Sequence, residues 1–481
     1  MRFLGKDPNI IDAYYTATAE GAITAGKPVI VEADGDVAQV ADAGATQAIG
    51  SPAEFETNSI TANSVSSTFD SDSNKFVVAY GDSVGGKAAV GTVSGTSISF
   101  GTPVSYSGST TFTSCAFDSS NNKVVIAYKD VGNSDYGTAI VGTVSGTSIS
   151  FGSETVFESA ATDFTTTVYD ANAQKIVIAY QDGGNSDYGT AIVGTVSGTS
   201  ISFGTPVVFE SAITSDIRAV YDTSAQKVVI IYTDEGNSNY GTAIVGTVSG
   251  TSVSFGTPVV FYAESADDFA PVYDSTSGKI VIAFDGNSAS RAIVGAVDGT
   301  SISFPSASVV FDDGDSFAKG AAYDANADRV VIAFRDSNNS AKGTVAVGTV
   351  SASSISFGTN EVFESGDTRD IACAYDSNEQ KVVIAYQDAT DSQDGTAVVV
   401  QAGFSLPNLT SENYIGIAAD TYADNEDSTI GIVGCIDRNQ TGLTAGQQYF
   451  VQTDGTLATT AGDPSVLAGT AISATELVVK E

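Results

Sequence analysis

Along most of the chain the hydrophobic positions fall in short runs with no polar alternation. Val124-Val125-Ile126-Ala127, Ile176-Val177-Ile178-Ala179 and Val382-Val383-Ile384-Ala385 are apolar at every position. A strand built on such a run is buried on both faces and needs a covering layer above and below. Each run follows an aromatic-Asp pair, at Phe69, Phe117, Tyr169, Tyr221, Tyr273, Tyr323 and Tyr375, spaced 48, 52, 52, 52, 50 and 52 residues apart. In the third copy, Phe164 to Tyr169 predicts a first strand ending in Asp170, and Lys175 to Tyr180 a second. Gly189 to Val196 predicts a third, and Thr199 to Phe209 a last strand interrupted at Gly204-Thr205-Pro206.

Four short antiparallel strands make one propeller blade, and seven copies at a period near fifty predict a closed array. Independent sandwiches would need roughly 100 residues each, about twice what a copy offers. The position two before each aromatic holds Ser67, Cys115, Thr167, Ala219, Pro271, Ala321 and Cys373. These are small residues, as an innermost strand converging on an axis requires. The seventh copy lacks the Ser-Gly-Thr-Ser-Ile-Ser-Phe segment, whereas Pro52-Ala53-Glu54-Phe55-Glu56, ahead of the first copy, matches Val156-Phe157-Glu158. Residues near 51–57 are therefore expected to supply the outer strand of the last blade and to remove an exposed sheet edge.

Residues 1–50 and 405–481 lie outside the repeat but echo each other. Thr24-Ala25-Gly26 precedes Asp34-Gly35 by the same distance at which Thr444-Ala445-Gly446 precedes Asp454-Gly455, and each Asp-Gly predicts a tight hairpin. Ala48-Ile49-Gly50, Leu467-Ala468-Gly469 and Tyr414 to Ala418 extend the echo. The expected fold is all-β: a seven-bladed β-propeller over 51–404, inserted in a small β-sandwich or barrel-like domain formed by both ends.

The end segments resemble small β-modules of tailed-phage virion proteins. The phrases that carry the resemblance are Gly21-Ala22-Ile23-Thr24-Ala25-Gly26-Lys27-Pro28-Val29, Gly442-Leu443-Thr444-Ala445-Gly446-Gln447-Gln448-Tyr449 and Gly469-Thr470-Ala471-Ile472-Ser473-Ala474-Thr475-Glu476-Leu477. Such modules occur in capsid decoration proteins and in head-fibre or tail-fibre components. The resemblance implies a non-enzymatic structural protein on the virion exterior, assembled in the host cytoplasm. It also implies capsid or tail proteins as partners, and a homo-oligomer. The propeller splits the module here, a departure from the usual pattern.

Composition narrows the partners. A formal charge of −37 excludes a nucleic-acid partner, because a phosphate backbone would be repelled. No stretch approaches ~18 apolar residues and the start, Met1 to Asp7, has no apolar core, so neither a membrane span nor a signal peptide is expected. Cys115, Cys373 and Cys435 form an odd, sparse set that suits a reducing compartment. Lys75, Lys123, Lys175, Lys227, Lys279, Arg329 and Lys381 each sit five residues after the repeat Asp, which predicts an ion pair across each hairpin.

Histidine and tryptophan are absent, which removes His-based acid-base and nucleophilic chemistry. Paired carboxylates would still serve a glycosidase, but 57 acidic residues single out no pair. The chemically richest loops follow the second strand of copies two to four. They carry Asp130, Asn133, Asp135 and Tyr136, then Asp182, Asn185, Asp187 and Tyr188, then Asp234, Asn237 and Tyr240. Carboxylate, amide and aromatic together bind sugar hydroxyls, here those of host-surface glycans, and the oxygens would also suit calcium, with no other cofactor expected. The competing account is a well-formed turn whose Asn, Asp and Gly serve the backbone. The near-identity of Gly137 to Gly152 and Gly189 to Gly204 argues against an enzyme. A free bacterial lectin or glycan-active propeller is the alternative function.

Overall fold

The computed structural model describes residues 13–41, 44–314, 316–403 and 408–480; the N-terminal segment read above from Met1 to Asp7 lies outside them. The chain forms two compact units, Thr46–Gly403 and Met1–Ala45 with Phe404–Glu481. Among the described residues no helix is long and apolar enough to cross a membrane.

The larger unit is a ring of antiparallel sheets. Its innermost strands end in the seven aromatic-Asp pairs and lie in Ser66–Asp70, Thr110–Asp118, Thr155–Asp170, Val207–Asp222, Val259–Asp274, Ser316–Asp324 and Glu361–Asp376. Each touches the next, and the last touches the first, so the array is closed and not an open solenoid. Four of these strands, such as Thr155–Asp170, run unbroken from the outer edge of one sheet to the innermost position of the next.

The unalternating second strands explain the stacking. Ile176 and Ile178 join a core with Val125 and Ala127 of the preceding sheet, while Val177 and Ala179 join one with Val228 and Ile230 of the following sheet. In five of these strands a fully buried tyrosine near the end donates its hydroxyl to a glutamate, Tyr80 to Glu56, Tyr128 to Glu154, Tyr180 to Glu158, Tyr232 to Glu210 and Tyr386 to Glu364, and in the other two Phe284 and Phe334 take its place.

The aromatic-Asp signature has two separate duties. The aspartates are buried and their carboxylates accept backbone N–H groups two or three residues on, as Asp222 does from Ser224 and Ala225. The tyrosines reach the preceding sheet's turn: Tyr169 donates to Ser120, Tyr323 donates to Thr276, and Tyr221, Tyr273 and Tyr375 accept from the amides of Asn172, Ser224 and Asn326. The ion pairs expected across the hairpins do not form among the described residues. Lys123, Lys175, Lys227, Arg329 and Lys381 instead donate to turn carbonyls, because each aspartate is already satisfied inside its turn.

Ring closure uses more of the N-terminal segment than the sequence reading assigned. Ala53–Glu56 pairs with Asp394–Gln401, and Ala48–Ile49 pairs with the end of that same strand. The break between the units therefore falls at 45/46, not 50/51, and at 403/404, not 404/405. Ala48-Ile49-Gly50 does not echo Leu467-Ala468-Gly469; it replaces the missing Ser-Ile-Ser-Phe strand. The Gly50 amide donates to Val399, as Gly152 does to Val141 and Gly204 to Val193. The three cysteines are free, and Cys373 is only half-buried, so the set is less uniform than buried thiols would be.

The smaller unit contains two five-stranded sheets of matching topology. The first runs Tyr14–Thr18, Asp427–Gly431, Tyr414–Ala418, Pro28–Val31, Val37–Gln39, and the second Ile436–Asp437, Leu477–Val479, Val466–Ala471, Gln448–Val451, Leu457–Ala458. In chain order both read first, fifth, fourth, second, third strand, and the propeller enters the first between its third and fourth strands. The turns match too: Gly35 donates to Glu32 as Gly455 does to Gln452, with positive φ at both glycines. Ile30 and Ile417 of one sheet share a core with Val451, Ala468 and Leu477 of the other.

Glycines between the sheets of the ring yield a matched test. A Cβ on Gly152 would lie 1.9 Å from the Thr199 carbonyl oxygen of the next sheet, whereas one on Gly358 would meet nothing, because the seventh copy lacks that turn. Gly152→Ala is expected to destabilise the protein by ~1–3 kcal/mol, and Gly358→Ala to stay within about 0.5 kcal/mol of the natural chain. Urea unfolding of the pair measures both, and equal losses would contradict this packing.

Candidate functional site

The loops singled out by sequence are backbone devices first. In copies two to four they are short 3-10 turns, Val131–Asn133, Gly183–Asn185 and Glu235–Asn237. Asp130, Asp182 and Asp234 are buried at their bases, and the Asp182 carboxylate accepts the Gly184 amide. Asp135 and Asp187 adopt left-handed φ, and their carbonyls accept the amides of Thr162 and Thr214 at the start of the next inner strand. Copy six forms the same turn over Ser337–Asn339 with Ala341 in the left-handed position, so the geometry does not depend on the candidate side chains. Asn133, Asn185 and Asn237 are exposed and Tyr136, Tyr188 and Tyr240 half-buried, each trio distributed over three different sheets. Among the described residues these loops bring no three carboxylates into metal-binding distance.

The structure gathers a different set on the ring axis. A cavity of about 550 Å³ is lined by all seven innermost strands. The position five before the repeat aromatic faces it in an unequal way in five of the copies: Phe112 and Phe164 on one arc, Asp216, Asp268 and Asp370 on another. At these five positions φ lies between 46° and 55°, at a bulge in the inner strand. Such strained backbone in non-glycine residues is concentrated at functional sites. The two phenylalanine rings lie 5.1 Å apart, and the Lys129 ammonium stands 5.9 Å over Phe112.

The acidic arc contains its own cations. Lys319 is fully buried, 2.7 Å from Asp285 and 3.7 Å from Asp268, and it also donates to the Ser316 carbonyl. Asp268 Oδ2, its oxygen nearest Lys319, and the second oxygen of Asp285 are buried without a hydrogen-bond partner. Asp370 accepts the Asn63 amide on both oxygens, at 2.9 and 3.0 Å. Loss of water on the cavity wall still pushes its carboxyl up to about 6, with Asp268 adding repulsion. Asp267, at the open mouth, is raised to about 6 by partial loss of water and by Asp216, Asp268 and Asp285. Asp216 is raised for the same first reason, and Arg218 opposes the shift.

Sequence reasoning passed over this set because it searched for what the copies share. The signal was the reverse: one column, five before the aromatic, changes character while its surroundings repeat.

Fold and cavity together define a β-propeller. The chain is similar to the BP39L lectin from Burkholderia pseudomallei, at 12% identity over 72% of this chain and 99% of that one, with a TM-score of 0.54. It is also similar to the Cps50 (Swd1) β-propeller domain of Myceliophteria thermophila, at 9% identity over 71% and 97%, TM-score 0.47, and to the periplasmic gluconolactonase PpgL of Pseudomonas aeruginosa, at 11% over 73% and 97%, TM-score 0.47. No protein-family model matches the sequence, and no curated protein matches it.

Asp370 predicts a pH dependence. Its folded pKa is raised above the ordinary 3.8, so the stability it contributes is complete below about 3.8 and is lost as pH rises through about 6. The melting temperature of the natural chain is expected to fall relative to Asp370→Asn across that window, with no further divergence above it. A difference constant from pH ~3.8 to ~7 would show that the carboxyl titrates normally.

Proposed function

We propose that the protein is a non-enzymatic binding protein whose axial cavity holds a hydroxyl-rich ligand, the terminal portion of a surface glycan. The observation that carries this reading is the division of the cavity lining, with a phenylalanine pair facing a carboxylate arc. An aromatic face covers the C–H surface of a sugar ring, while carboxylates accept from its hydroxyls, and few polar groups converging on a concave site is how small ligands are held. A lectin is among the proteins built on this ring. Tyr136, Tyr188 and Tyr240 on the outer loops would add weak contacts to a long glycan, raising avidity without a second strong site.

The smaller unit would carry the ring on the exterior of a tailed-phage particle, against capsid or tail proteins and as a homo-oligomer. The phrases shared with virion β-modules support this, as does an apolar hollow of about 420 Å³ lined by Tyr15, Val31, Tyr414, Ile415, Ile432 and Val433. Copurification with particles tests the placement, and a free monomer never found on them would remove it.

A second reading, glycan cleavage in the same cavity, is favoured by one observation: Asp267 and Asp370 are raised to about 6, as a general acid requires. Calorimetry with host polysaccharide separates the readings. Phe112→Ala with Phe164→Ala is expected to weaken binding at least ~10-fold, equivalent to ~1.4 kcal/mol. Unchanged binding would move the ligand out of the cavity. Reducing ends that appear with the natural chain and not with Asp370→Asn would replace binding by catalysis.

A further inference from the structure

The strand that closes the ring carries a feature that the other copies lack. Glu54, in Ala53–Glu56, lies opposite Thr396 of the seventh copy. The equivalent positions opposite the third strand in copies two, three, four and six are Val156, Val208, Val260 and Val362, each roughly two-fifths exposed. Asp394 pairs with Asp388 where Tyr136, Tyr188 and Tyr240 pair with Asp130, Asp182 and Asp234. Asp391 stands three after Asp388, as Asn133, Asn185 and Asn237 stand three after their aspartates. Valine, asparagine and tyrosine have all become acids at one sheet, and the sheets that keep the original residues form without them. The carboxylate oxygens of Glu54, Asp391 and Asp394 lie within 4.8 Å of one another.

Three acids this close repel one another unless a cation joins them, and among the described residues no side-chain cation is paired with them. Asp394 is 7% exposed, and its Oδ1 is a buried oxygen without a hydrogen-bond partner. The charged groups around it are Asp391, Glu54, Asp388 and Glu56, all acidic. The nearby Lys87 is committed to Glu56 at 2.7 Å and Asp82 at 2.6 Å. The loop is nevertheless held in place: the Asp394 amide donates to Asp391, the Ile60 amide donates to Gln393, and the Ser59 hydroxyl donates to the Gln393 side chain. Oxygens on opposite sides of a calcium ion, each ~2.3–2.6 Å from it, stand about 4.8 Å apart, whereas magnesium demands a tighter octahedron.

We propose that Glu54, Asp391 and Asp394 bind a calcium-type divalent cation that clamps the N-terminal closing strand to the last sheet of the ring. Backbone carbonyls and water would complete the shell. The site is independent of the axial cavity and of any glycan.

Calcium titration of the full chain by calorimetry, with melting temperature measured in EDTA and in ~1 mM calcium, tests this. The expected result is one calcium per chain and a melting temperature several degrees higher in calcium. Hydrogen exchange should slow in Ala53–Glu56 and Asp394–Gln401. The variant Glu54→Gln with Asp394→Asn should lose the calcium response yet match or exceed the natural chain in EDTA, because its mutual repulsion is gone. Absence of calcium heat and of a calcium-dependent shift in the natural chain would overturn the proposal. So would a shift of the same size in the variant, since the ion would then bind elsewhere.

Discussion

Burial of the second strand on both faces is the constraint on which the rest depends. Val177 and Ile178 point to opposite sides of one sheet and are both fully buried, each in a different core. No sheet in the ring is therefore stable alone, and any first or last sheet would leave one apolar face in water. Closure is the arrangement that leaves none uncovered. Glycine at the sheet-to-sheet contacts, tyrosine hydroxyls reaching back to the preceding turn and an N-terminal strand borrowed by the last sheet all serve that one requirement.

The same constraint separates what must repeat from what is free to differ. The aspartate of each pair closes its own turn and the tyrosine fastens the next sheet to it, so both recur wherever the ring needs them. Phe69 and Phe117 depart from tyrosine, and at those two junctions the hydroxyl link is absent by chemistry. Side chains facing the axis lie outside the repeated second-strand contacts between sheets, although Phe112 touches Phe164 and Asp370 accepts the Asn63 amide. There Phe112 and Phe164 give way to Asp216, Asp268 and Asp370 while the second strands still stack on their neighbours, and asymmetry can accumulate for recognition.

Much of the fold was legible because it is written in local pattern. The period, the doubly apolar strands and the match of Ala53 to Glu56 with later outer strands all lie in contiguous residues. Ala48–Ile49 was misassigned because a two-residue strand has no periodicity, and its partner Val400 is far along the chain. The lysine after each turn was misread because sequence proximity to the aspartate hid the amides that had already satisfied it. The axial acids and the seam acids were illegible for one reason: each set comes together only after remote segments meet, and an excess of acidic residues conceals any particular group.

The closing strand also sets an order of events during synthesis. Residues 48 to 56 leave the ribosome early, but their partner Asp394–Gln401 follows only after the intervening sheets, a delay on the order of tens of seconds at usual translation rates. Until then the nascent ring is an open arc with two bare ends, the state most prone to pairing with another chain. Tyr414–Ala418 and Asp427–Gly431, the fourth and fifth strands of the interrupted first sheet of the smaller unit, emerge behind the partner strand. The ring and that first sheet thus become completable within one short stretch of translation, and a chain cut short before it would lack the last strand of each.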